Sequence, residues 1–334
     1  MKIAVDGMGG DRAPRVVVEG VVQAVQQYGA EVILVGDQTQ IYQELKRFTP
    51  LPNGLTIHHA SEVIGMDESP AASVRKKKDS SINVAAQLVK EGKADAFFSA
   101  GNTGAVVCAT TLLWRQLQKV ERAGIAVVFP NRQGVTILID AGANIDPKPQ
   151  HLLQYAIMGS TYSRYILHVE NPRVGLLNVG EEESKGPEFI QETHQLLQQS
   201  SLTFIGNAEG RDVFSGKYDV IVCDGFVGNV ALKAVESVAL TLTDFLKEEL
   251  ARNWMTRMGS LMARSAFRAL KKKMDYAEYG GAPLLGVNGI CIIGHGSSSV
   301  KAIKNGIRVA SEFVDHQVNQ HIIEAIDGMK QVVE

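Results

Sequence analysis

Short apolar runs alternating with amphipathic stretches constrain this 334-residue chain more than any other feature. Runs at 2–5, 32–35, 96–99, 125–129, 135–139, 173–177, 203–205, 220–222 and 289–293 are rich in Val, Ile, Leu, Phe and Ala. A strand with one wet face would alternate apolar with polar residues, so continuous runs imply strands covered on both faces. Between them, 16–28, 83–91, 150–165, 187–199, 229–250 and 301–326 read as helices. Strands and helices in alternation predict an α/β fold of three layers, α/β/α, around a mostly parallel sheet. No repeat, low-complexity tract or Pro/Ser-rich linker divides the chain. Residues 1–334 are therefore expected to form one catalytic unit of two interleaved lobes about a cleft.

The charge balance, 34 Lys and Arg against 36 Asp and Glu, argues against a surface built for nucleic acid. Cys108, Cys223 and Cys291 are far apart and form no CxxC pair. They read as reduced thiols, small core residues rather than a disulfide, a zinc site or a nucleophile. The opening MKIAVDGMGGD lacks the apolar core of a signal peptide. No apolar run reaches the roughly 20 residues that span a bilayer. A soluble, cytoplasmic protein is expected, at most peripheral to a membrane.

One segment stands apart. Residues 250–274 read LARNWMTRMGSLMARSAFRALKKKM, within a helical excursion expected over 245–278. Leu250, Trp254, Met258, Leu261, Met262 and Leu270 recur at three- and four-residue spacing, with Arg252, Arg257, Arg264, Arg268 and Lys271–Lys273 interleaved. This predicts a basic amphipathic helix, broken near Gly259. Such a helix suits an anionic membrane or an acidic partner, or packs on a dimer mate or the core.

The loops after the strands are where an open α/β sheet binds ligands. Asp6–Asp11 places Gly9, Gly10 and Asp11 ahead of a helix. This is an anion cradle of backbone N–H groups or a tight turn with Asp11 as cap; Arg12 replaces the third Gly of a dinucleotide fingerprint. In 99–105, Gly101 and Gly104 allow close backbone approach, Asn102 and Thr103 offer side-chain donors, and the helix start favours phosphate. Asp140 and Asn144 end an apolar run in 140–144, as a site or as turn chemistry. Lys185 follows three acidic residues in 178–186; it is a cation for phosphate or oxyanion, or part of a solvated charge run. Asp224 and Asn229 bracket two glycines at 224–229. Gly280 and Gly281 suit a flexible lip beside a long acyl chain. His295, between glycines, could polarise a carbonyl or bind phosphate. There is no GxxxxGK[ST], HExxH or GxSxG. The kit holds an anion and stabilises charge; it does not suggest a covalent intermediate.

Taken in order, VDGMGGDRAP (5–14), VRKKKDSSI (74–82), SAGNTGA (99–105), DAGAN (140–144), NVGEEESKG (178–186), EGRDVFSGKYDVIVCDGFVGNVALK (209–233) and YGGAPLLGVNGICIIGHGSS (279–298) resemble the acyl-carrier-protein:phosphate acyltransferase family of phospholipid synthesis. Gly7 departs from the Ala of that pattern. The resemblance implies an isocitrate/isopropylmalate dehydrogenase-like fold, related to phosphotransacetylase. It also implies a homodimer, peripheral membrane contact through 250–274 at the inner face of the cell membrane, and a product passed to a membrane glycerol-3-phosphate acyltransferase. Acyl-carrier protein and inorganic phosphate would be the substrates. Phosphate is already an anionic nucleophile, and a thiolate of pKa near ~8.5 leaves with little acid help. The remaining tasks are positioning and oxyanion stabilisation. They are assigned to Asn102, Thr103 and nearby Gly N–H groups for phosphate, and to Lys185 for charge. Asp224 and Asn229 would orient Lys185 or the thioester, with His295 a secondary candidate. No metal or organic cofactor is needed. Rival readings are a short-chain phosphotransacetylase acting on acyl-CoA, an NAD-dependent hydroxyacid dehydrogenase and a membrane-attached scaffold.

Overall fold

A computed structural model describes residues 1–274 and 276–333. The apolar runs become β1 (Lys2–Asp6), β2 (Glu31–Gly36), β3 (Leu55–His59), β4 (Ala96–Ser99), β5 (Gly124–Pro130), β6 (Val135–Ile139), β7 (Arg173–Leu177), β8 (Thr203–Ala208), β9 (Val220–Val222), β10 (Ala282–Leu285) and β11 (Ile290–Ile293). The helices are α1 (Arg15–Tyr28), α2 (Gln38–Leu45), α3 (Pro70–Lys76), α4 (Ser81–Lys90), α5 (Thr103–Trp114), α6 (Pro149–Tyr165), α7 (Glu188–Gln198), α8 (Gly225–Ala251), α9 (Trp254–Met262), α10 (Arg264–Met274), α11 (Val300–Asp315) and α12 (Val318–Val333).

All eleven strands join one sheet in the order β3-β2-β1-β4-β11-β10-β5-β6-β9-β7-β8. Side chains alternate between its faces as the pleat requires. Ile3 and Val5 pack with α1 and α11, while Ala4 packs with α4 and α5. Phe98 and Phe97 repeat the split one strand away. Both rings are fully buried, each worth about 1.5–3 kcal/mol. This is the α/β/α sandwich expected from continuous apolar strands.

Among the described residues seven of the ten strand pairings are parallel; the antiparallel ones are β11–β10, β10–β5 and β5–β6. Following these reversals, β6, β9, β7 and β8 run opposite to β1, β2, β3, β4 and β11. The carboxyl ends of the two strand sets therefore point to opposite rims. A single rim carrying every Gly-rich loop, the simplest expectation, is not what the topology gives.

α8 joins the two rims. It begins directly after β9, and Leu232 in its second turn packs against the cluster holding Ala105 and Ile293. Eight residues of helix rise about 12 Å, the reach from Gly225 to Lys233. Farther out, Val238, Leu240, Leu242 and Phe245 are exposed. By length and composition α8 is long and apolar enough to cross a membrane, contrary to the expectation that no segment would be.

Other boundaries moved for local reasons. The basic segment breaks at Arg252–Asn253, where the Asn253 side chain caps α9, and again at Ala263; Gly259 stays inside the helix. The expected helix over 301–326 divides into α11 and α12 at His316–Gln317, where Gln317 takes a positive φ of 48°. The side chains of Leu270, Lys271 and Lys272 lie outside the described residues.

Candidate functional site

Three loops converge at the carboxyl ends of β1, β4 and β11. Gly10 lies at their junction with φ +100°, and a Cβ there would stand 2.9 Å from the Gly296 carbonyl oxygen and 3.3 Å from that of Ala100. The Asp11 N–H donates to the Gly296 carbonyl at 2.9 Å, and Gly294 N–H donates to Ser99 O at 2.8 Å. Arg12 donates to the carbonyls of Ser297 and Ser298. Beneath them Asp6 is buried, accepting from the Ser99 hydroxyl at 2.7 Å and from Met8 N–H at 3.1 Å. Burial pushes the Asp6 carboxyl up, against the hydroxyls of Ser81 and Ser99 that pull it down. Asp11 does not cap α1; Pro14 occupies that position.

The Asn102 side chain is taken up by the fold. Its Oδ1 accepts from Ala105 N–H at 3.0 Å and its Nδ2 faces the carbonyls of Gly65, Met66 and Glu68 at 3.1, 3.2 and 3.1 Å. It caps α5 and ties down the segment that leads into α3, so it is not an open phosphate donor. Gly101 N–H is also occupied, by the Ser99 hydroxyl. Thr103 and Gly104 are exposed, and their N–H groups begin α5 with no acceptor among the described residues. Helix geometry leaves exactly such first-turn donors open, on the positive end of the dipole. Open first-turn donors of this kind are chemically suited to an anion.

The segment 61–79 covers that helix start. Glu68 clasps it by accepting from Gly65 N–H, the Ser73 hydroxyl and Lys77 Nζ. The Lys77 hydrogen bond, followed by those from Gly65 and Ser73, holds the Glu68 carboxyl down at about 2.

On the other rim, Asp140 is fully buried and accepts from four backbone N–H groups: Ile125, Gly142, Ala143 and Asn144. Burial still pushes its carboxyl up. Asn144 is likewise structural, donating to Ala123 O and lying 2.7 Å from the Tyr155 hydroxyl. Its carbonyl receives Gly225 N–H at 2.7 Å, which fixes the start of α8. Asp224 caps α8 by accepting from Val227 N–H at 2.9 Å. Asn229 is exposed beside Gly142.

Lys185 follows β7. It is exposed, and its side chain has no hydrogen-bond or ion-pair partner among the described residues, including Asp224 and Asn229. Its loop is fastened instead to β8, where Asn207 Nδ2 donates to Glu182 O. Nearby, Glu181, Glu209 and Asp212 bring ligand atoms within 4.8 Å of one another, but Arg211 pairs with Glu181 and Glu209 and supplies the counter-charge. Gly280 and Gly281 form no exposed lip. Gly280 is pressed on the Asn305–Gly306 backbone of α11, and Gly281 on the Ile293 carbonyl. Cys223 and Cys291 are buried, and burial raises both thiols.

His295 is where the rims meet. Its Nε2 lies 3.3 Å from Lys233 Nζ and 3.5 Å from Glu236 Oε2, and Lys233 donates to Glu236 at 2.8 Å. Sequence reading missed Lys233 and Glu236. The signal was a helical i,i+3 charge pair, which is commonplace; only the path of α8 across the sheet brings it to His295.

The fold is similar to that of a Streptococcus pyogenes phosphotransacetylase, with a TM-score of 0.59, 18% identity, and coverage of 98% of this chain and 94% of that one. Sheet and helices define a mixed α/β fold of three layers. Sequence narrows the class. The family model described as "Fatty acid synthesis protein" matches residues 1–321. A phosphate acyltransferase from Pelotomaculum thermopropionicum is 51% identical over 331 residues, 99% of this chain and 96% of the relative. One from Geobacter sulfurreducens is 50% identical over 327 residues, 98% and 94% respectively. The chain belongs to the phosphate acyltransferase family and is a transferase.

Proposed function

We propose that the protein moves a fatty acyl group from an acyl-carrier-protein thioester to inorganic phosphate. A phosphate oxygen attacks the thioester carbonyl carbon, forming a C–O bond and moving the carbonyl electron pair onto oxygen. Collapse of that tetrahedral oxyanion breaks the C–S bond. The thiolate leaves on the carrier and acyl phosphate is the product. The observation that carries this reading is the open pair of N–H groups at Thr103 and Gly104, where the β1, β4 and β11 loops meet. Gly9, Gly10 and Asp11 frame that pair, and the Thr103 hydroxyl supplies a further donor. Lys185, whose side chain has no partner among the described residues, neutralises phosphate or oxyanion charge. Asn229, exposed beside Gly142, orients the thioester, and Asp224, which caps α8, steadies the helix that carries it.

Exposed Trp254, Met255, Met258, Leu261 and Met262, interleaved with basic residues, support peripheral contact with the anionic inner face of the membrane. There the product would pass to a glycerol-3-phosphate acyltransferase for phosphatidic acid synthesis. The exposed apolar residues of α8 support a homodimer through that helix. The test is to incubate the protein with palmitoyl-carrier protein and labelled phosphate, and in parallel with acetyl-CoA. Acyl phosphate formed from the carrier thioester is expected. Faster turnover of acetyl-CoA would favour the short-chain reaction, and no acyl phosphate from either would end the proposal.

A further inference from the structure

We propose that Lys233 and His295 form a second anion-receiving pair beside the Thr103 and Gly104 N–H groups, and that the Glu236 carboxylate occupies it until phosphate displaces it. This rests on the acyl-to-phosphate reading and names how the same site takes its second substrate.

The ring orientation comes first. Ser297 N–H donates to His295 Nδ1 at 3.1 Å, and the Ser297 hydroxyl lies 2.8 Å from the same nitrogen. A backbone N–H can only donate, so Nδ1 is the acceptor and Nε2 carries the ring proton. Nε2 therefore offers a donor, and Lys233 Nζ, which has donors only, lies 3.3 Å away. Two donors side by side call for a shared acceptor. Glu236 Oε2 fills that role, 2.8 Å from Nζ and 3.5 Å from Nε2. Glu236 is half-buried; burial pushes its carboxyl up, but hydrogen bonds from His295 and Lys233 hold it below the usual carboxylate range.

The location supplies the function. His295 is bracketed by Gly294 and Gly296, whose backbones are bonded to Ser99 and Asp11. It thus projects from the loop cluster that frames the open N–H pair. Lys233 arrives from the other rim on α8. The bland alternative is a surface i,i+3 pair of little energetic consequence. Lys247 and Asp244 on the same helix are such a pair at 2.9 Å. Among the described residues they have no third group from another element, whereas Lys233 and Glu236 have His295. A phosphate oxygen matches the acceptor chemistry of a carboxylate and carries more charge, and charge-assisted bonds of this kind are the stronger ones. Glu236 is 32% exposed, so it can withdraw by a side-chain rotation without moving α8.

The test is steady-state kinetics with phosphate varied, alongside equilibrium dialysis of labelled phosphate without an acyl donor. Lys233→Met is expected to raise KM for phosphate about tenfold or more with a smaller change in kcat. Lys233→Arg should recover most of the loss. Glu236→Gln, which removes the competing charge, should lower KM for phosphate by about threefold or more. Lys93→Met, paired with Glu91 on a distant edge, is the control and should change nothing. Thermal melts accompany each variant; if Lys233→Met fails to fold, Lys233→Gln takes its place. Unchanged phosphate KM and unchanged dialysis in the Lys233 variant overturn the pair. A rise in KM for Glu236→Gln overturns the occupancy claim, since it would make Glu236 a support for Lys233. If wild type binds phosphate through Lys233 but forms no acyl phosphate, the anion pair stands and the acyl-transfer reading fails.

Discussion

Replacing Asp140 by Ala tests whether the second rim is held by one buried carboxylate. Ile125 N–H, 2.9 Å from Oδ1, starts a buried strand and would have no other acceptor. Leaving such a donor unsatisfied costs about 1–3 kcal/mol. Gly142, Ala143 and Asn144 N–H groups sit in a partly open loop, where water replaces the acceptor and each loss is about 0.5–1.5 kcal/mol. Removing a buried charge gives some stability back, because burial already disfavours that carboxylate. The net loss is about 3 kcal/mol, or roughly 4 °C in Tm for 334 residues at about 2.1 cal/mol/K of unfolding entropy per residue. Asp140→Asn keeps an oxygen acceptor and should lose about half as much. Differential scanning calorimetry reads both. Activity should fall with stability, because the Asn144 carbonyl that anchors α8 sits at the end of this loop. A Tm for Asp140→Ala within a degree of wild type would refute the reasoning.

Gly10→Ala forces a Cβ against the Gly296 carbonyl at positive φ; kcat/KM should fall at least about tenfold with a destabilisation of about 1–3 kcal/mol, checked by kinetics and melting. Lys185→Ala should lower kcat about 10²-fold if the ammonium meets the transition state, and near-normal turnover would remove it from the mechanism. Glu68 is depressed to about 2, so its clasp on 61–79 is fully present above its unfolded pKa and is lost as pH falls through about 2. Hydrogen exchange should therefore show protection of 61–79 from pH 5 to 7 in wild type, and faster exchange there in Glu68→Gln at every pH. Trp254→Glu combined with Met258→Glu should abolish sedimentation with anionic vesicles while leaving acyl transfer in solution intact.

Sequence pattern gave most of the fold because most strands are covered on both faces and carry few polar residues. β3, LTIHH, escaped for the opposite reason: it is an edge strand whose side chains remain partly wet. β10 escaped because Gly280, Gly281 and Pro283 read as loop chemistry, although Pro283 pairs with Ile292. At the site, glycine spacing marked the loops after β1, β4 and β11, since close backbone approach leaves that trace. It could not say which polar groups stay open. Asn102 and Asn144 look like ligands in one dimension, but each is occupied by backbone carbonyls from residues far away in sequence. Lys233 is the converse, ordinary by spacing and distinguished only by where its helix crosses.

α8 is one rod of 27 residues, about 40 Å long, pinned near its beginning and exposed beyond it. Rods of this kind act as levers. A tilt of about five degrees that shifts Lys233 by about 1 Å sweeps the outer end through about 3.5 Å. A load applied at that outer end would work on the Lys233–His295 gap with a mechanical ratio of about three to one.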